Sequence, residues 1–317
     1  MSGFQNVAIL INMTAGSADK ISKDSLNKNI ALISQAMDVR IFKTQSEDEG
    51  RAAIKSMAGH KPDLLIIIGG DGTVISTISQ IKNEQPFEKM PLFLVVAGGT
   101  TNMIHRDAGI EINDLDNAFQ NILYEDYTEY QRPLLKITTS HNSESKYGFF
   151  VGFGALPLAI EHVRKTYHKA GLTGKIGETI ACCGYIIRLL AGSIEKHPVL
   201  SPNTIKLSEN GQKWTQKRQV FMFFTTLSRL ILDFKPPKRP KSYVMITLRF
   251  PYSGLLGDLI KLRKNERPGR NALEQKERTK PIYIKHCPRW ILDGEFATLP
   301  QDAHLKVELD SPVTFIQ

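Results

Sequence analysis

The 317-residue sequence predicts an α/β N-terminal domain, doubly wound on a parallel sheet, over residues 1–132. A β-rich, sandwich-like domain over 133–317 follows, its C-terminal residues free to return to the first domain. Three observations predict this. Apolar runs alternate with segments of helical spacing up to about residue 124. Beyond about residue 130, short apolar runs follow one another between polar turns. Two of the early runs end on paired glycines, as strands of an open α/β sheet do where they meet a ligand.

Taken in order, "QNVAILIN" (5–12) reads as a buried strand, and residues 21–37 as a helix from Ile21, Leu26, Ile30, Ile33 and Met37. "DVRIF" (38–42) is a short strand. Residues 46–60 open with Ser46 and an acidic first turn, the signature of a helix start. "PDLLIIIGG" (62–70) is continuously apolar, as in a strand covered on both faces. A helix over 74–82, beginning near Thr73, a strand over 91–99 and an amphipathic segment over 112–124 complete the alternation. The later runs, among them 134–140, 146–155, 203–210, 217–227, 243–250, 281–287, 304–309 and 313–317, predict an antiparallel sheet or sandwich. Helices interrupt it at about 158–194 and 253–264, and the basic stretches 234–241 and 261–280 read as solvated loops.

Composition bounds the function. An apolar content of 41% suffices for a full core. A net charge of +9 favours anionic partners: nucleotide phosphates, acidic lipid headgroups or nucleic acid. Nucleic acid rests on charge alone, because no aromatic residues interleave with the basic ones. No apolar stretch reaches the ~18 residues a membrane-spanning helix needs. The N-terminus has five apolar residues in a row and no preceding Lys or Arg, which argues against a secretory signal. Three cysteines, two of them adjacent at Cys182 and Cys183, give neither a disulfide framework nor a zinc spacing, and so point to a reducing cytoplasm.

The stretch "IIIGGDGTVIST" (66–77) carries the chemistry. Gly69 and Gly70 let backbone N–H groups approach a ligand closely. The helix that follows adds unpaired donors and a partial positive charge, which suits polyphosphate. Asp71 beside phosphate would be repulsive unless a cation, usually Mg²⁺, lay between them, directly or through water. Thr73 adds a hydroxyl. The ordinary reading is a common α/β turn with an aspartate capping the helix. Against that, neither the lysine-bearing phosphate loop nor G-x-G-x-x-G claims the spot. Two further strand ends, "INMTAGSADK" (11–20) and "VVAGGTTNMIHRD" (95–107), carry small and hydroxyl residues on the same expected edge.

On these residues the sequence resembles the diacylglycerol kinase catalytic-domain superfamily, with NAD kinases as more distant relatives. The similar motifs are "GGDGT" (69–73), Asn12 to Gly16, Thr44, "GGTTN" (98–102) and "PRWILDGEF" (288–296), in the family's order along essentially the whole chain. The resemblance implies a NAD kinase/diacylglycerol kinase-like fold with a cleft between its domains. It implies that Gly69, Gly70, Asp71, Gly72 and Thr73 hold ATP phosphates and position Mg²⁺. Asn12, Gly16, Thr44, Gly99, Thr100, Thr101 and Asn102 would contact the nucleotide or shape its loops. Asp293 would be the general base and Glu295 its support. From Asp-Gly-Glu alone, a hairpin turn is the ordinary reading.

Three departures stand beside the resemblance. "VISTIS" lacks the usual Asn and Glu, Met103 replaces an Asp, and "GFGALP" (152–157) replaces a glycine-aspartate pair. The leading expectation is an ATP- and Mg²⁺-dependent lipid kinase acting on a diacylglycerol-like or sphingoid-like hydroxyl, cytoplasmic and peripheral on an anionic membrane surface. Its basic loops would face the lipid, and a homodimer stays open. A NAD kinase-like enzyme with a soluble acceptor is a second reading; against it, Asn83-Glu84 and Asn265-Glu266 are expected in charged loops. A regulator that binds nucleotide or lipid without turnover is a third. The scattered histidines pair into no metal motif. Trp290 reads as a core aromatic before a pocket residue. Arg164, Lys165, His168, Lys169 and Lys175 suit a solvated helix face or an anionic membrane equally.

Overall fold

The first apolar run forms β1 (Asn6–Asn12), whose five central residues are buried. The computed structural model describes residues 3–14, 23–97, 103–110, 114–169, 184–191, 194–239, 241–269 and 271–317. They divide into two units, Met1–Arg132 with Pro312–Gln317, and Pro133–Ser311.

In the first unit, α1 (Lys23–Ile33), β2 (Asp38–Thr44), α2 (Glu47–Ala58), β3 (Leu64–Gly69), α3 (Asp71–Glu84) and β4 (Leu92–Ala97) follow β1. Ser46 accepts the Glu49 N–H and caps α2, whose first turn carries Glu47, Asp48 and Glu49 against the helix dipole. Then come α4 (Met103–Ala108), β5 (Gly109–Ile110) and α5 (Leu115–Tyr124). All strand pairings here are parallel, in the order β2-β1-β3-β4-β5. The six residues of β3 are all buried, so both faces of the sheet are covered. On one face Val7, Ile9, Leu64, Ile66 and Ile68 pack with Ile33 of α1 and Phe119 and Ile122 of α5. Each such side chain contributes about 1.5–3 kcal/mol on burial.

The second unit contains β6 (Glu129–Thr139), which begins in the first, β7 (Asn142–Gly148), β8 (Phe150–Gly154) and α6 (Ala155–Lys169). A helix α7 over residues 184–191, β9 (Asn203–Ser208), β10 (Thr215–Thr225), β11 (Tyr243–Arg249) and α8 (Leu255–Arg263) come next. β12 (Leu273–Arg278), β13 (Ile282–Lys285), β14 (Arg289–Leu292), β15 (Glu295–Thr298) and β16 (Leu305–Ile316) close it. The pairings are antiparallel. β10 is shared: residues 215–219 pair with β9, and 221–225 pair with β8 on one edge and β11 on the other. A register shift between Gln219 and Phe221 marks the change. Two apolar clusters result, one holding Phe153, Phe224, Tyr243 and Trp290, the other Val220, Ile246, Leu255 and Leu262. The last residues of β16 belong to the first unit, where Phe315 pairs with Phe93 of β4 in parallel.

The structure corrects several expectations. α3 starts at Asp71, two residues before Thr73, and runs on to Glu84, so Asn83-Glu84 is the end of a helix rather than a loop. α4 and β5 were not visible as periodic segments. The run 146–155 is two strands, broken at Phe149, and 304–317 is one strand. The basic stretch 261–280 is not a solvated loop throughout. It holds the end of α8 and β12, which pairs with β11. In β12, Glu274 is nearly buried and bonds Arg249 and Lys276, with Lys217 3.7 Å away. Burial opposes its charge, but the Arg249 and Lys276 bonds prevail and hold its pKa at about 2. A depressed folded-state pKa stabilises the fold above the unfolded value of 4.5 and loses that contribution as pH falls toward 2. Glu274→Gln is therefore expected to lower stability by about 1–3 kcal/mol at pH 7. The deficit should shrink as urea titrations approach pH 2; one constant between pH 7 and pH 2 contradicts the ion-pair assignment.

Trp290 is a core residue of β14, 1% exposed. His60 and His105 are buried, and His60 Nε2 lies 3.2 Å from the Val7 carbonyl. Lys165 pairs with Glu161 one turn earlier. Cys182, Cys183 and Lys175, and the side chains of Arg164, His168 and Lys169, lie outside the described residues. No helix among the described residues is long and apolar enough to cross a membrane.

Candidate active site

The strand order 2-1-3-4-5 reverses direction between β1 and β3, and open parallel sheets bind ligands at the carboxyl ends of such a pair. Asn12 and Gly69 are those ends. Asn12 Nδ2 donates to Thr73 Oγ1 at 2.7 Å, tying the end of β1 to the first turn of α3. Asn12 Oδ1 accepts from the Thr14 N–H (3.0 Å) and the Thr14 hydroxyl (2.8 Å), which turns the chain as it leaves the strand. Thr44 lies beside Asn12 in the register, is buried, and its carbonyl accepts the Met13 N–H at 2.9 Å.

Gly69 is required sterically. A Cβ there would stand 2.8 Å from Thr73 Cβ and 2.9 Å from Thr73 Oγ1. Gly70 is the N-cap of α3 in an extended conformation and offers no side-chain cap. The first N–H groups of a helix have no acceptor within it, and those of α3 begin at Asp71, just past the carboxyl end of β3.

Asp71 does not cap its own helix. Its Oδ2 accepts the Met103 N–H at 2.6 Å and its Oδ1 the Ile104 N–H at 3.0 Å. The carboxylate thus fastens the start of α4, directly after the second glycine turn. At the other end of α4, Asp107 is held by Arg132 (Nη2 to Oδ1, 3.3 Å), and the Tyr130 hydroxyl donates to the Asp107 carbonyl at 3.4 Å. Gly16, Gly99, Thr100, Thr101 and Asn102 lie outside the described residues. Among the described residues no three His, Cys, Asp or Glu side chains converge as a metal site.

The second unit holds a second carboxylate. Asp293 and Gly294 form the two-residue turn between β14 and β15, with φ of 46° and 98°. Two consecutive positive φ values are those of the tight turn that Asp-Gly favours. Asp293 is nonetheless 6% exposed, and its side chain folds back onto the start of β8. Oδ2 accepts the Phe149 N–H at 2.8 Å and Oδ1 the Phe150 N–H at 3.0 Å, while the Asp293 N–H donates to the Phe150 carbonyl at 2.9 Å. Gly148 makes room, since a Cβ there would overlap Oδ2. Glu295, two residues on, is exposed. Gly148, and the paired amides of Phe149 and Phe150, were not singled out in the sequence. The glycine in "KYGFF" was the available signal.

The sequence profile of the diacylglycerol kinase catalytic domain matches residues 6–131. A Streptococcus pneumoniae serotype 4 protein assigned to the lipid kinases is 26% identical over 157 residues, 49% of this chain and 49% of that protein. The mitochondrial acylglycerol kinase of Xenopus laevis is 33% identical over 72 residues, 22% of this chain and 16% of that one. The matched stretches thus span about half or less of these relatives. Among solved structures, one from Bacillus anthracis Sterne assigned as a diacylglycerol kinase superposes with a TM-score of 0.68 at 18% identity, covering 99% of this chain and 98% of that one. Another from the same organism gives 0.63 at 18% identity, with 99% and 97% covered. At this identity they establish the shared two-part fold.

Proposed function

We propose that the chain, whose residues 6–131 match the diacylglycerol kinase catalytic domain, transfers the γ-phosphoryl group of ATP to a hydroxyl of a diacylglycerol-like or sphingoid-like lipid. One observation carries the reading. The glycine turn of the matched domain falls at the sheet's switch point, with the uncapped start of α3 and the Asn12–Thr73 bond on one edge. Polyphosphate is the ligand this edge suits, because amides and a helix dipole there favour negative charge.

Catalysis of phosphoryl transfer is mostly positioning and charge stabilisation. The amides of Asp71, Gly72 and Thr73 would receive phosphate oxygens. Asn12, by holding the Thr73 hydroxyl, sets that side chain's direction. Mg²⁺, when bound with ATP, would supply charge neutralisation, and Asp71 is the residue that would hold it, through water. Asp293 is the candidate base for the acceptor hydroxyl. Its two amide bonds fix the carboxylate's orientation. Glu295 is proposed to support it.

The test is incubation of the protein with γ-labelled ATP, Mg²⁺ and either a lipid panel or NAD, followed by organic extraction. Label in the organic phase supports the reading. Label on NAD favours the soluble-acceptor enzyme, and ATP binding without transfer favours a regulator. Gly69→Ala is a sharper probe of the turn. The new methyl must displace Thr73, so ATP affinity should fall at least about tenfold while far-UV circular dichroism stays unchanged. Wild-type affinity in that variant would mean the nucleotide binds elsewhere.

A further inference from the structure

Eight large apolar side chains are exposed among the described residues, and four of them sit on two short helices of the second unit. Ile187 (66%) and Leu190 (44%) belong to α7; Leu256 (55%) and Ile260 (47%) belong to α8. The two helices are neighbours. Leu189 of α7 shares an apolar cluster with Leu255 and Leu262 of α8, and the Tyr252 hydroxyl, just before α8, donates to the Leu189 carbonyl. Each helix therefore buries one apolar stripe and turns a second one outward. Single exposed apolar residues are ordinary, but two pairs of them on neighbouring helices suit an apolar partner.

The charges on these helices say which partner. Residues 184–191 contain no acidic residue, and Arg188 is exposed. In α8 the exposed charges are Lys261 and Arg263, followed by Lys264 and Glu266. The one acid of α8, Asp258, is 3% exposed and fully turned inward. It accepts the N–H groups of Gly269, Ala272 and Leu273, and so pins the loop to β12. Apolar teeth among an excess of cations, with the acid of α8 itself withdrawn, match an anionic bilayer. The aliphatic side chains enter the headgroup boundary, and each nearby cation adds about 1 kcal/mol of attraction.

We propose that the paired outer faces of α7 and α8 are the surface by which this chain docks on an anionic lipid bilayer. The choice of a bilayer over a protein partner rests on the lipid-kinase reading. It also moves the membrane-facing role from the basic loops to two helices. Among the loop residues, Arg239 is paired with Glu277 and Lys235 with Asp233.

Co-sedimentation of the full chain with phosphatidylglycerol-containing vesicles, without ATP, tests this. Wild type should bind these vesicles and not pure phosphatidylcholine. Leu256→Glu/Ile260→Glu should weaken binding at least tenfold. Lys261→Gln/Lys264→Gln, which leaves the apolar teeth intact, should weaken it several-fold and flatten its salt dependence. Tyr124→Glu, at an exposed aromatic of the first unit, should bind as wild type. Binding unchanged in both double variants overturns the proposal, as does loss of a dimer in Leu256→Glu/Ile260→Glu, which would assign the patch to a second copy. Because no turnover is read, a failure of phosphoryl transfer with vesicle binding retained counts against the kinase reading and not against this surface.

Discussion

Asp293→Asn is expected to lower kcat for lipid phosphorylation by about 10²–10⁴-fold, the range a general base contributes. ATP affinity should stay within about twofold of wild type. The structure adds a second consequence. Asp293 accepts two backbone N–H groups, one on each oxygen, and an asparagine amide can accept only one while turning its own N–H₂ toward the other. The variant should therefore also lose about 1–3 kcal/mol of stability. The two effects separate in one experiment: urea unfolding gives the stability, and turnover below the melting transition gives the chemistry. Gly148→Ala reaches the same carboxylate from the other side by occupying its seat. It should reproduce the loss of turnover with the aspartate still in the chain. A wild-type rate in Asp293→Asn would remove this residue from the mechanism.

Asp71→Ala should have the next largest effect. Both carboxylate oxygens hold the start of α4, and charge-assisted bonds to backbone amides are roughly twice as strong as neutral ones. Their loss should cost about 2–4 kcal/mol and release the chain that follows the second glycine turn. The KM for MgATP should rise at least about tenfold, and the Mg²⁺ concentration needed for half-maximal rate should rise with it. Titration of ATP at fixed free Mg²⁺, and of Mg²⁺ at fixed ATP, measures both. An unchanged KM would show that the carboxylate serves neither the nucleotide nor its ion.

The architecture was legible where one physical signal dominates. β1, β3 and β4 are continuous apolar runs covered on both faces, and α2 announces itself through Ser46 and three acids. α4 escaped because six residues, "MIHRDA", are too few to show a helical period; contacts at both its ends hold it. β12 escaped for the opposite reason. "LEQKER" reads as a charged loop, yet its charges pair outside it: Glu274 with Arg249 of β11 and Arg278 with Glu209 just after β9. Alternating apolar pattern is lost when cross-strand ion pairs replace it. Among the candidate residues, Gly69 and Asp71 could be picked out by type and position, and Asp293 through the resemblance to the family. What each carboxylate touches could not, because Met103, Ile104, Phe149 and Phe150 act through backbone amides, which leave no mark on residue type.

The account turns on where the phosphates of ATP rest. The most direct measurement is a crystal structure of the protein with a non-hydrolysable ATP analogue and Mg²⁺. Phosphate oxygens are expected within hydrogen-bond distance of the amides of Asp71, Gly72 and Thr73, at the start of α3. Phosphates bound anywhere else, with that helix start facing solvent, would contradict it.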